Sequence, residues 1–156
     1  MKSFSEHASP ANQSFAEFCK SFIHEDARWA VPTQHKKDVQ QIAEAIINGT
    51  AIAVSDGSFS KAHGTAAWII QGVSGPGEVG GVLVVPGYPS DQSPYRSELA
   101  GLYAIMTAVE AICAFYNIKE GSIEVACDGE SALNNAIDFL DHDSPGKEQF
   151  DIFGAL

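Results

Sequence analysis

The sequence predicts an α/β domain in which helices pack on a mixed β-sheet. Three short runs rich in aliphatic and β-branched residues, at 51–55, 64–71 and 78–85, are joined by short polar and glycine-rich turns, which is typical of an antiparallel meander. A long apolar helix and a fourth short apolar run at 123–127 follow. Because a crossover helix separates the third run from the fourth, we expect the fourth strand to lie parallel to its neighbour.

Two helices are predicted before the first strand. Apolar residues recur at roughly helical spacing over residues 14–23. A clearer apolar stripe covers residues 36–48 and stops at Gly49, a residue type that commonly follows the end of a helix. We expect residues 1–35 to be an N-terminal extension or linker, and residues 36–156 to form the domain.

The longest helix is predicted after the meander. Ser93 is a suitable N-cap, Pro94 fits the first helical position, and the apolar pattern continues to about residue 116. Beyond the fourth strand, apolar residues again recur at helical spacing over residues 129–140 and 147–156. The last pattern stops without a C-cap signal, so we expect the domain to be cut short at its C-terminal end.

Composition limits the possible classes of function. The 156 residues, 45% of them hydrophobic, are enough for one globular domain. No apolar run approaches the length of a membrane span and the polar start lacks a signal-peptide core, so we expect an intracellular protein with no membrane partner. Three cysteines without a C-x-x-C spacing argue against a disulfide framework and against a structural zinc site. The net charge of −11 argues against direct nucleic-acid binding, unless divalent cations supply the positive charge.

Three carboxylates lie where predicted strands and helices meet. Asp56 directly follows the first strand and precedes a glycine turn, and Asp128 ends the fourth strand. Glu98 shares a helix face with Leu102 and Ile105, which predicts that its carboxylate points at the sheet. We therefore expect the three carboxylates to approach one edge of one sheet.

Each carboxylate also has a purely structural interpretation. Asp56 and Gly57 form a dipeptide that is favoured in hairpin turns. Glu98 would complement the helix dipole near the helix N-terminus, and Asp128 is a good N-cap residue. One hypothesis is therefore an unrelated α/β domain with turn and cap residues at these positions.

Clustered carboxylates favour metal binding, because their like charges need compensation. Oxygen ligands without a nearby set of cysteines or histidines select hard cations, Mg²⁺ or Mn²⁺. Carboxylates that bridge two such ions are the arrangement used for in-line displacement at a phosphodiester. If the three carboxylates meet, Asp56, Glu98 and Asp128 are candidate ligands for such hard cations.

Three motifs give the chain a family resemblance. S-D-G-S-F-S with G-T-A-A-W-I-I, then Y-R-S-E-L-A-G-L-Y-A-I, then I-E-V-A-C-D-G-E-S-A-L occur in this order. They resemble ribonuclease H, and more narrowly the ribonuclease H-like domains attached to retroelement reverse transcriptases. The resemblance covers about residues 51–137 and implies a ribonuclease H-like mixed sheet, here without its last strand and helix.

The resemblance implies an activity and a site. Such enzymes hydrolyse the RNA strand of RNA–DNA hybrids, leaving a 3′-hydroxyl and a 5′-phosphate, with two Mg²⁺ or Mn²⁺ ions. Asp56, Glu98 and Asp128 would be the catalytic, metal-binding carboxylates, and Asp56 would be the ligand shared by both ions.

The resemblance also implies contacts with the hybrid. Backbone amides at Gly57 and Ser58 would approach it, and the loop with Gln92, Ser93 and Arg96 would contact its minor groove, where 2′-hydroxyls mark RNA. Arg96 could equally form a surface salt bridge. An upstream reverse transcriptase domain in the same polyprotein would be a partner.

The chain departs from the family pattern in two features. The family has a fourth carboxylate on a later helix and a loop histidine, and neither has a counterpart by position among the candidates Asp138, Asp141, Asp143, Asp151 and His142. No basic handle for the hybrid is visible either. The alternative function is therefore a catalytically inactive ribonuclease H-like module that serves as a binding or structural part of a larger polyprotein.

Overall fold

A computed structural model describes residues 13–36, 39–73 and 77–127 of the chain. Within these ranges it contains three α-helices and five β-strands. The helices are α1 (Phe15–Phe22), α2 (Val39–Asn48) and α3 (Pro94–Phe115), and two short 3₁₀ helices cover Glu25–Ala30 and Pro89–Asp91. The strands are β1 (Gln34–Lys36), β2 (Ala51–Ser60), β3 (His63–Gly72), β4 (Glu78–Val84) and β5 (Ile123–Cys127).

The strands form one mixed sheet with the order β1-β4-β3-β2-β5. β2, β3 and β4 form the predicted antiparallel meander, and β5 pairs in parallel with β2. The predicted mixed α/β architecture is therefore confirmed for the described residues. The helices predicted over 129–140 and 147–156 lie outside them.

β2 differs from its prediction in length. The expectation that this strand ends at Ser55, and that a glycine turn follows Asp56, is wrong, because antiparallel pairing with β3 continues to Ser60. The turn lies instead at Lys61 and Ala62, whose φ angles of 50° and 65° match the type I′ turn that joins tightly paired strands. Asp56 is therefore a strand residue.

The described part of the N-terminal segment, which was predicted as an extension or linker, contributes to the domain. α1 packs against α3, with the Phe15 and Phe115 ring centroids 5.6 Å apart. β1 adds an unpredicted strand to the sheet beside β4. α2, predicted from residue 36, begins at Val39. The buried side chains of this segment include Phe15, Cys19, Ile23, Ala27 and Ala30.

α3 is the central helix of the core. Every residue from 99 to 105 is buried, so two turns of the helix are enclosed on all sides. The sheet covers one side, and α1 with the first 3₁₀ helix covers another. Contrary to the expectation that no apolar run approaches the length of a membrane span, α3 could cross a membrane by length and composition. However, 67% of its most apolar stretch is buried inside the protein, as in a core helix.

The two faces of the sheet differ in exposure. Side chains alternate between the faces along each strand, and one set packs against α3 and α2. The alternate set, on the opposite face, includes apolar side chains that are exposed by 37–72%: Ile52, Val54, Val82 and Val84.

Candidate active site

Asp56 lies in the central part of the sheet, on the exposed face. It pairs with Ala67 of β3, and the alternation along β2 leaves its side chain exposed while Ser55 is buried. The parallel pairing with β5 has Ser55 beside Cys127 as its last described pair. These are the residues directly before Asp56 and Asp128 in the sequence, and Asp128 itself lies outside the described residues.

Glu98 reaches β2 from the second turn of α3. Its Oε1 accepts a hydrogen bond of 3.1 Å from the backbone amide of Gly57, the residue after Asp56. Its Oε2 is buried. The Glu98 carboxylate therefore points at the sheet and is held at the peptide unit that joins Asp56 to Gly57.

The start of α3 contacts β2 closely because Gly57 lacks a side chain. A Cβ at this position would lie 2.8 Å from Glu98 N and 2.8 Å from the carbonyl carbon of Ser97. Glycine within a strand often marks such a close approach of another backbone. Gly57 therefore sets the separation between the helix that carries Glu98 and the strand that carries Asp56.

Ser97 supports the same contact and was not singled out from the sequence. Its side chain is 0% exposed, and its hydroxyl donates to the Ser58 carbonyl oxygen at 3.0 Å. Nothing in the local pattern distinguishes this residue from an ordinary polar residue in a helical first turn. Its partner lies 39 residues away, so only the tertiary structure reveals the contact.

The three loop residues predicted to contact a hybrid stabilise the loop and the helix start. Ser93 Oγ accepts from the Arg96 amide at 3.0 Å, as expected of an N-cap residue. The Gln92 side-chain amide donates to the carbonyl oxygens of Val85 and Pro86, both at 3.3 Å. The Arg96 side chain is 2% exposed, and its Nε donates to Pro86 O at 2.8 Å. These bonds give all three residues a structural role, and the burial of Arg96 does not favour a direct contact with a ligand.

The donor chemistry of the site suits a hard cation. Asp56 and Glu98 both offer carboxylate oxygens, the ligand type that Mg²⁺ and Mn²⁺ prefer. Among the described residues, no group of three His, Cys, Asp or Glu side chains is arranged to hold a metal ion. Of the three predicted ligands, Asp56 and Glu98 lie within the described residues.

The larger of two described cavities, about 220 Å³, lies away from these carboxylates. It lies between α2 and the C-terminal end of α3, and its lining includes Ile46, Val109 and Cys113. Cys113 is 15 residues beyond Glu98 on the same helix, which corresponds to about 22 Å along the axis at about 1.5 Å per residue. The candidate site is therefore a position at the sheet and not this cavity.

Comparison of the chain with models of protein families, with curated proteins and with solved structures finds no match.

Proposed function

We propose that the chain is a ribonuclease H-like, metal-dependent endonuclease that hydrolyses the RNA strand of RNA–DNA hybrids. One observation carries the proposal: the Glu98 carboxylate, delivered by the crossover helix, binds the amide that directly follows Asp56 on the central strand. The Glu98 carboxylate is thus held at the residue next to Asp56, although 42 positions separate the two acids in the sequence. The neighbouring parallel strand β5 ends one residue before Asp128.

The chain's own residues would bind and orient the catalytic groups. Asp56, Glu98 and Asp128 would hold two divalent ions, which when bound supply positive charge for the phosphodiester and a nucleophilic water. The Gly57 amide, by donating to Oε1, fixes one oxygen of Glu98 and leaves its orientation defined before any ion binds. Such preorganisation lowers the cost of assembling the charged site.

The purely structural hypothesis for Asp56 loses its main support. A hairpin aspartate would have to lie in the turn, whereas Asp56 pairs with Ala67 in the strand, five residues before the turn at Lys61 and Ala62. An exposed carboxylate in the middle of a central strand has no capping or turn role there.

The second candidate function is a ribonuclease H-like module that binds or supports a larger polyprotein without cleaving RNA. This alternative is favoured by the engagement of Gln92 and Arg96 in loop contacts, since both were expected to contact the hybrid. An upstream reverse transcriptase domain in the same polyprotein would be the partner in either case.

Cleavage of a labelled RNA–DNA hybrid in the presence of Mg²⁺ tests the proposal. We expect the chain to cleave the RNA strand and the Asp56→Asn variant to lose cleavage, because an amide is a poor ligand for a shared metal position. Glu124→Gln is the matched control: it neutralises an exposed carboxylate on the neighbouring strand β5 and should leave cleavage unchanged. Absence of cleavage by the wild-type chain, or equal cleavage by Asp56→Asn, would contradict the proposal.

A further inference from the structure

Two glycines and one serine hold the start of α3 against the sheet. The Ser97 hydroxyl lies within hydrogen-bond distance of two acceptors, Ser58 O at 3.0 Å and Ser93 O of its own helix at 3.3 Å. A Cβ at Gly64 of β3 would lie 2.6 Å from Ser97 Oγ, and one at Gly57 would lie 3.0 Å from Ser97 Cβ. Ser97 therefore lies in a close-fitting space between β2, β3 and its own helix.

The hydrogen bond from Ser97 is well placed to control Glu98. The two residues are consecutive on the helix, and they contact consecutive residues of β2: Ser97 bonds to Ser58, and Glu98 bonds to Gly57. A shift of the helix start away from β2 would lengthen both bonds together. An isolated helix terminus has no such attachment, since its first turn depends on capping residues alone.

We propose that Ser97 is a positioning residue that fixes the Glu98 carboxylate at the amide of Gly57, the residue after Asp56, by attaching the start of α3 to β2. Ser97 acts through Glu98, and its buried hydroxyl does not itself bind the metal ions or the substrate. This inference rests on the proposed function for its catalytic meaning, but its structural content can be measured without metal or substrate.

The Gly57 amide is a direct reporter of the Glu98 position. Its hydrogen exchange and its amide chemical shift can be followed by NMR in the metal-free protein. Glu98→Ala, which removes the acceptor, gives the values expected for a lost bond. We expect Ser97→Ala to move both quantities toward those of Glu98→Ala. If Ser97→Ala does not fold, Ser97→Cys, which is nearly isosteric and a weaker donor, should show the same direction of change.

Thr107→Val is the matched control for the loss of a buried hydroxyl. Thr107 is 6% exposed and lies on α3, ten residues beyond Ser97. The Thr107→Val variant should leave the hydrogen exchange and the chemical shift of the Gly57 amide unchanged. A Ser97→Ala protein whose Gly57 amide behaves as in Thr107→Val would overturn the inference.

Metal binding gives the second measurement. Loss of a residue that orients a ligand typically weakens metal affinity by roughly 10-fold or more. We expect Ser97→Ala to weaken Mn²⁺ binding by about that factor, measured by titration, with no change in Thr107→Val. If the wild-type chain binds Mn²⁺ but does not cleave the hybrid, the proposed function fails, and the positioning role is decided separately by the Gly57 amide and by Mn²⁺ binding in Ser97→Ala. Unchanged Mn²⁺ binding in Ser97→Ala would contradict the positioning role, whatever the wild-type activity.

Discussion

Gly57 is the residue on which the separation of Asp56 and Glu98 depends. Gly57→Ala would place a methyl group 2.8 Å from two backbone atoms of α3, where neither can move without shifting the helix. We expect the free energy of unfolding to fall by about 1–3 kcal/mol, as for other overpacked sites. Denaturant unfolding measures this change. Ser60→Ala, at an exposed position of the same strand, should change it by less than about 0.5 kcal/mol, and an equal loss in both variants would contradict the close contact.

The same residue shows why the sequence misplaced the turn. A glycine after an aspartate is favoured in a hairpin turn, and a glycine that admits a neighbouring backbone looks identical in the sequence. Only the partner distinguishes them, and Ser97 and Glu98 are about 40 positions away. Arg96 presents the same difficulty, since its burial depends on a carbonyl group at Pro86 that no local motif signals.

At the scale of elements, the sequence predicts α3 well because the signals that begin the helix are local. Ser93 caps it and Pro94 occupies its first turn, as expected. The placement of α1 is not a local property. Its apolar spacing predicts the helix, but the docking against α3 depends on aromatic contacts such as Phe15 with Phe115, 100 positions apart. The prediction of an N-terminal extension or linker over residues 1–35 reflects this lack of a local signal for docking.

Cys19 provides a test of how firmly α1 belongs to the core. Its side chain is 0% exposed, and burial raises the pKa of its thiol from 9.0 to about 12. Below pH 9 the thiol is neutral in both the folded and the unfolded chain, so its contribution to stability is fully present. Between pH 9 and about 12 only the unfolded chain ionises it, which favours unfolding.

We therefore expect the free energy of unfolding to fall with pH above 9 more steeply in the wild-type protein than in Cys19→Ala. The difference in slope should approach about 1.4 kcal/mol per pH unit. Urea unfolding at several pH values from 8 to about 10.5 measures it, since the comparison of slopes cancels the constant cost of the cavity. Parallel curves for the two proteins would mean that the thiol, and with it α1, is accessible to solvent in the folded state.

For the whole molecule, the order of strand-like and helical patterns was sufficient to predict the mixed sheet. The crossover helix between β4 and β5 allows β5 to pair in parallel with β2, as the register shows, whereas a short turn cannot join parallel strands. The sequence could not predict which face of the sheet remains exposed. Val79 and Val84 of β4 are the same residue type, yet one is 0% and the other 72% exposed.

This pair of valines allows the packing of the two faces to be measured with one substitution. Val→Thr keeps the shape and β-branching of the side chain and adds a hydroxyl group. At Val79 the hydroxyl would be buried among apolar neighbours, so we expect Val79→Thr to lower the free energy of unfolding by about 1–3 kcal/mol. At Val84 the hydroxyl would be solvated, and Val84→Thr should cost less than about 0.5 kcal/mol. A comparable cost at both positions, measured by denaturant unfolding, would mean that the opposite face of the sheet is also packed. Because Asp56 lies on that face, such a result would also place its carboxylate in a covered environment and remove the direct access of a phosphodiester to it.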